Sequence, residues 1–175
     1  SSGRSLMSNF LLFLDSFQRN TKNAVYLTGF NNSRYDNLFV WEELLNDGLQ
    51  LLTGAPLRKG TSINTLKIGN ITLRDLCLFI PTKLRSLPTM FKLDTDIRKG
   101  YFPYTFLNSF ESLDYVGNFP DSSYFDTHKY SVNEMKEYEE YKQSFDGKQW
   151  NARDELTAYC INDVVILWQA TVAFR

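Results

Sequence analysis

Residues 65–76, TLKIGNITLRDL, constrain the fold more than any other stretch. Leu66 and Ile68 on one arm, and Ile71 and Leu73 on the other, alternate with polar residues, and only Gly69-Asn70 separates the arms. A Gly-Asn pair admits the positive backbone angle that a two-residue turn requires, so the stretch predicts an antiparallel hairpin. Its alternation leaves one apolar face that other elements must cover.

The flanking sequence supplies them. In residues 8–19, SNFLLFLDSFQR, a serine start and the spacing of Phe10, Leu11, Leu14 and Phe17 predict an amphipathic helix. NAVYLTGF at 23–30 reads as a mostly apolar strand of the kind buried on both faces of a mixed or parallel sheet. LFVWEELLNDG reads as a helix that begins at Leu38 and is stopped by Gly48. From 77 to 130, Pro81, Pro88, Pro103 and Pro120 among aromatics predict short helices and extended loops. Residues 131–145 predict a charged helix with Met135, Tyr138 and Tyr141 on one side, and 151–174 a long, apolar, embedded closing helix. The class is α/β with a mixed sheet.

A chain of 175 residues that is 43% apolar fits one domain, taken as 5–175, with SSGR at 1–4 set aside as a tag scar. The net charge of −1 gives no general field for nucleic acid, so any such contact must be local. Cys77 and Cys160 sit in apolar runs and read as buried free thiols of a reduced, intracellular protein. Runs such as FLLFL fall short of the roughly 20 residues that span a bilayer, and no signal peptide opens the chain, so no membrane is expected.

Several acids could carry chemistry. Asp36, in NNSRYDN after the first strand, reads either as the N-cap of the helix at Leu38 or as a metal ligand at a strand's carboxyl end. Asp163, in YCINDVVIL, lies among Cys160, Val164, Val165, Ile166 and Leu167, and a buried aspartate needs a cation, a metal or several hydrogen bonds. Tyr159, one turn earlier, shares its face and could orient a metal-bound water; a core helix with one satisfied acid is the alternative. Lys99, before Gly100 and the aromatics Tyr101 and Phe102, suits phosphate with rings stacking on unpaired bases, or is a surface lysine beside an apolar loop. Thr72, Leu73 and Leu76 read most simply as strand residues, and lone His128 lacks a ligand set.

In combination and order these pieces resemble the 3′–5′ exonuclease domain of protein-primed B-family DNA polymerases, the branch found in adenoviruses, phages, linear plasmids and Polinton/Maverick elements. The resemblance runs from about residue 8 to 173 and implies an RNase H-like (DnaQ-like) fold, a mixed sheet flanked by helices. NNSRYDN is similar to the second exonuclease motif, which implies that Asn32 and Tyr35 contact DNA and that Asp36 binds metal. YCINDVVIL is similar to the third, which implies that Tyr159 assists the attacking water and that Asp163 is a ligand. TLRDL fits a motif whose Thr72 and Leu73 would touch single-stranded DNA or a terminal protein, and KGYF one that places Lys99 on a phosphate, with Tyr101 and Phe102 in the loop that holds the frayed strand.

The implied cofactors are two Mg²⁺ or Mn²⁺ ions, and the implied partners are single-stranded DNA, a terminal protein and the rest of a polymerase. The first motif, Asp-x-Glu on an opening strand, occurs nowhere in the sequence, and Asp94-Thr95-Asp96 lies in the wrong part of the order. The opening strands should therefore be missing, one side of NAVYLTGF or of the hairpin exposed, and the sheet completed by a second chain or by a longer parent. The isolated chain is expected to be inactive; the alternative is a non-catalytic module that binds nucleic acid or protein.

Overall fold

The computed structural model describes residues 6–48, 51–93 and 101–174, so Lys99 and Asp94-Thr95-Asp96 lie outside the described residues. Two compact units, Ser1–Lys83 and Leu84–Arg175, divide the chain, and each is described by itself.

The first unit is a mixed four-stranded sheet with helices on one face. Helix α1 spans Leu6–Arg19, strand β1 Val25–Gly29, helix α2 Asp36–Glu43, and strands β2, β3 and β4 Leu57–Lys59, Ser62–Ile68 and Ile71–Asp75. The sheet order is β1-β4-β3-β2, with β1 parallel to β4 and the other pairs antiparallel. The hairpin forms as its sequence requires: Leu66 faces Leu73, Ile68 faces Ile71, and Gly69 turns the chain at φ 59°. That positive φ is what favours glycine at the turn; a Cβ there would also displace the flexible end of the Gln18 side chain. Asn70 ties the turn to the α1–β1 connection by donating from Nδ2 to the Thr21 and Asn23 carbonyls.

Leu11 and Leu14 of α1, Val40 of α2 and Leu44 just after it pack on Ile63, Leu66, Ile68, Ile71 and Leu73. The opposite face carries Tyr26, Thr72, Lys67 and Arg74, with the Arg74 guanidinium 3.5 Å from the Tyr26 ring centroid. Phe17, expected on the buried side of α1, is exposed, with its ring centroid 6.0 Å from that of Phe13. Strand β1 is not buried on both faces: it is an edge strand, Tyr26 and Leu27 are exposed, and β4 is its only partner among the described residues. The exposed side expected of NAVYLTGF is thus present. Helix α2 starts two residues earlier than expected and runs into a π-turn at Leu44–Gly48.

The second unit holds helices α3 (Leu87–Phe91), α4 (Val132–Gln143) and α5 (Ala152–Phe174), a two-stranded ribbon of β5 (Val116–Gly117) and β6 (Trp150–Asn151), and several single 3₁₀ turns. Those turns occupy the proline-rich region, as its composition predicts. Helix α4 opens with a capping box, Ser131 with Glu134, and α5 opens with Asn151 Oδ1 accepting the N–H groups of Arg153 and Asp154. The core is aromatic. Phe102, Trp150 and Tyr159 form one cluster, and Tyr101, Phe125 and Tyr138 another.

Helix α5 is not embedded. Only Ala152, Tyr159, Ile166 and Ala170 are buried, while Ile161, Val164, Trp168 and Val172 form an exposed apolar stripe. Its apolar residues surround the helix, and among the described residues one side of it is packed and the other exposed. Length and composition alone would let α5 cross a bilayer, contrary to the reading from shorter runs, but Asp163 at its middle would be costly in hydrocarbon. Cys160 is exposed and Cys77 half-buried, both free, so neither is the fully buried thiol expected. In the 130–141 segment, by contrast, Tyr138 is fully buried and Tyr130 and Tyr141 half-buried in the aromatic cluster.

Candidate functional site

In the first unit the candidate residues lie on the loop that leaves the carboxyl end of β1. Asn31 adopts the left-handed conformation at φ 60°, a 3₁₀ turn follows at Asn32–Arg34, and α2 begins at Asp36. The N-cap position belongs to Tyr35, so Asp36 is not the cap; it stands in the first helical turn, exposed, where a negative charge meets the positive end of the helix dipole. Nothing among the described residues hydrogen-bonds to the Asp36 carboxylate. Tyr35 is 62% exposed, and its ring is open to a stacking partner.

Asn32 turns inward. It is 7% exposed, donates from Nδ2 to Asn37 Oδ1 at 3.1 Å, and Asn37 in turn donates to the Ile63 carbonyl at 2.8 Å. Its own Oδ1 is buried with no donor among the described residues. A Cβ on Gly29 would lie 2.6 Å from Asn32 Cγ, so only glycine leaves room for the fold-back.

The residue that binds this loop to the sheet is Asp75, which the sequence did not single out. It ends β4 in register with Gly29 and is 1% exposed. Its Oδ1 accepts the N–H of Asn31 at 2.8 Å and of Cys77 at 2.9 Å, and its Oδ2 the N–H of Ser33 at 3.1 Å. Hydrogen bonds to a charged acceptor contribute about 1.5–3 kcal/mol each, and a buried carboxylate without them would be strongly unfavourable. The signal available was the polar end of TLRDL, an acid where the alternation calls for an inward residue. Of the motif's other members, Leu73 is buried in the core at 2% exposure and cannot touch DNA, while Thr72 is half-buried on the open sheet face.

In the second unit Tyr159 and Asp163 share one face of α5, with Tyr159 buried and Asp163 half-buried. The Tyr159 ring meets Phe102 at 5.9 Å and the exposed Tyr104 at 5.7 Å. Burial pushes the Tyr159 hydroxyl above the ordinary tyrosine range; a hydrogen bond with Tyr104 opposes that, and the Asp163 charge adds to it. Tyr101 and Phe102 are not available for stacking on bases. Tyr101 is packed among Tyr130, Tyr138 and Tyr141 and donates to the Glu134 carbonyl at 2.8 Å, and Phe102 lies against Trp150. Tyr104, two residues on, is the exposed ring of that loop.

Two divalent ions about 4 Å apart need several converging carboxylates. Among the described residues no three His, Cys, Asp or Glu side chains gather, and Asp36 and Asp163 belong to different units. The donors present do not amount to a two-metal site.

A family model for DNA polymerase type B, organellar and viral, matches residues 17–175. The chain belongs to this polymerase family. A probable DNA polymerase of Neurospora intermedia is 31% identical over 152 residues, covering 83% of this chain and 16% of the relative. A probable DNA polymerase of Agaricus bitorquis is 29% identical over 127 residues, covering 69% of this chain and 15% of the relative. The chain thus spans about a sixth of the length of these polymerases, and no solved structure matches it.

Proposed function

We propose that this chain is the 3′–5′ exonuclease region of a protein-primed type B DNA polymerase, with an RNase H-like sheet whose remaining strands and carboxylates lie outside it. The observation that carries the reading is Asp36, exposed in the first turn of α2 and placed by the loop at the carboxyl end of β1; within the second unit, Tyr159 and Asp163 share one face of α5. Both stand within a match to the polymerase family. Functional loops collect at the carboxyl ends of parallel strands, and β1 with β4 is the parallel pair here.

In this reading the open edge of β1 would receive a further strand, Asp36 and Asp163 would each offer one carboxylate to magnesium or manganese ions whose other ligands come from outside this chain, and Tyr159, beside Asp163 on α5, would orient water. Tyr35 and Tyr104 offer rings to unpaired bases, Lys99 holds a phosphate, Thr72 borders the strand's path, and Asn32, turned inward onto Asn37, shapes the loop that carries Tyr35. Single-stranded DNA ends are the substrate; a terminal protein and the rest of the polymerase are the partners.

The test is digestion of a 5′-labelled single-stranded oligonucleotide by the polymerase that contains this segment. Loss of digestion in Asp36→Ala, with primer extension retained, supports the reading. Normal digestion by Asp36→Ala contradicts it. The 175-residue chain alone is expected to leave the oligonucleotide intact in manganese; binding of single-stranded DNA that needs no metal and survives Asp36→Ala would favour a non-catalytic binding module instead.

A further inference from the structure

The loop bearing Asn32, Tyr35 and Asp36 makes no ladder hydrogen bonds of its own, and it turns at Asn31 in the left-handed conformation that asparagine adopts more readily than most side chains. Beside the Asn32–Asn37–Ile63 relay, the loop backbone is held by one side chain 42 to 44 residues away in sequence, the Asp75 carboxylate, which accepts from Asn31 and Ser33 on the loop and from Cys77 in its own turn. We infer that Asp75 is the positioning residue of the candidate site, holding loop 31–36, and with it Asp36 and Tyr35, at a fixed place beyond the carboxyl ends of β1 and β4.

Both oxygens are engaged, and that makes the inference sharp. Asparagine at this position keeps the shape but turns one acceptor into a donor facing an N–H group, so at least one loop contact is lost without a cavity. Glutamate restores the charge one methylene further out. The 3₁₀ turn that Asp75 caps at Leu76–Leu78 follows directly, so one carboxylate fixes two segments against each other. Asp75 would touch neither DNA nor metal; it acts through the loop. The catalytic part of the inference rests on the exonuclease reading, while the anchoring part stands on the hydrogen bonds alone.

The experiment compares the polymerase containing this segment with its Asp75→Asn and Asp75→Glu variants, by deuterium uptake of peptides spanning 30–36 and by exonuclease and primer-extension rates. Expected for Asp75→Asn are faster uptake in 30–36 with unchanged uptake in 63–73, a fall of roughly 10- to 100-fold in exonuclease kcat, and extension within about twofold of the parent. Asp75→Glu should recover part of the loss. A general loss of fold would move extension and the 63–73 peptides as well. Unchanged uptake in 30–36 overturns the anchoring, and faster uptake with unchanged exonuclease kcat overturns the positioning role. A parent polymerase without exonuclease activity would sink the functional reading, and uptake in 30–36 would then decide the anchoring by itself.

Discussion

The ring of Tyr104 stands perpendicular to that of Tyr159, with 5.7 Å between centroids and 88° between planes. Tyr159 is 8% exposed and Tyr104 59%, so a buried hydroxyl that shares a helix face with Asp163 is flanked by an accessible ring. Base-on-ring stacking contributes about 1–3 kcal/mol. Tyr104→Ala should therefore weaken binding of a short oligo(dT) by roughly 5- to 100-fold, and Tyr104→Phe by much less. Fluorescence anisotropy reads both variants; equal losses would show that the hydroxyl, not the ring, is what matters.

Asp163 and burial both raise the Tyr159 pKa, with burial the larger cause. Asp163→Asn should lower that pKa only part of the way toward the ordinary tyrosine value, because the desolvation remains. The phenolate absorbance of Tyr159, isolated by subtracting a Tyr159→Phe titration, measures it. An unchanged pKa would mean that the carboxylate does not act on the hydroxyl.

Burial, followed by the charge of Glu137, pushes the Tyr101 hydroxyl up to about 12 from an ordinary value near 10. The folded state then holds this proton more tightly than the unfolded state. Its contribution is fully present below pH 10 and is lost as the pH rises through about 12. Urea midpoints between pH 9 and 12 should fall more steeply for the parent chain than for Tyr101→Phe, and equal slopes would contradict the assignment.

Gly29→Ala should damage the site without touching a candidate ligand. The added methyl would lie 2.6 Å from Asn32 Cγ and force that side chain off Asn37. A loss of about 1–3 kcal/mol is expected from chemical denaturation, together with faster amide exchange in 30–36. A variant as stable as the parent would show that the Asn32 fold-back is not required.

The hairpin was legible because period-two alternation and a Gly-Asn turn are both local signals, and Leu66 and Leu73 meet as they predict. Helix α5 was legible as a helix but not in its burial, because an apolar run reports what could be buried and not where it packs; Val164 and Trp168 are exposed. The same limit governed the site. Tyr159, Asp163, Tyr35 and Asp36 could be singled out from short motifs, whereas Asp75 acts through backbone N–H groups 42 and 44 residues away, which no spacing rule records. Tyr101 and Tyr104 differ by three positions in one aromatic loop, and only packing tells the buried ring from the exposed one.

As the exonuclease region proposed above, this segment would remove nucleotides from DNA 3′ ends. That central claim is tested most directly by giving the polymerase that contains it a primer with a mispaired 3′ end and comparing the parent with Asp163→Ala. The account predicts that the parent removes the mispaired nucleotide before extending, and that Asp163→Ala extends matched primers normally but leaves the mispair in place. Removal of the mispair by Asp163→Ala at the parent's rate would contradict it.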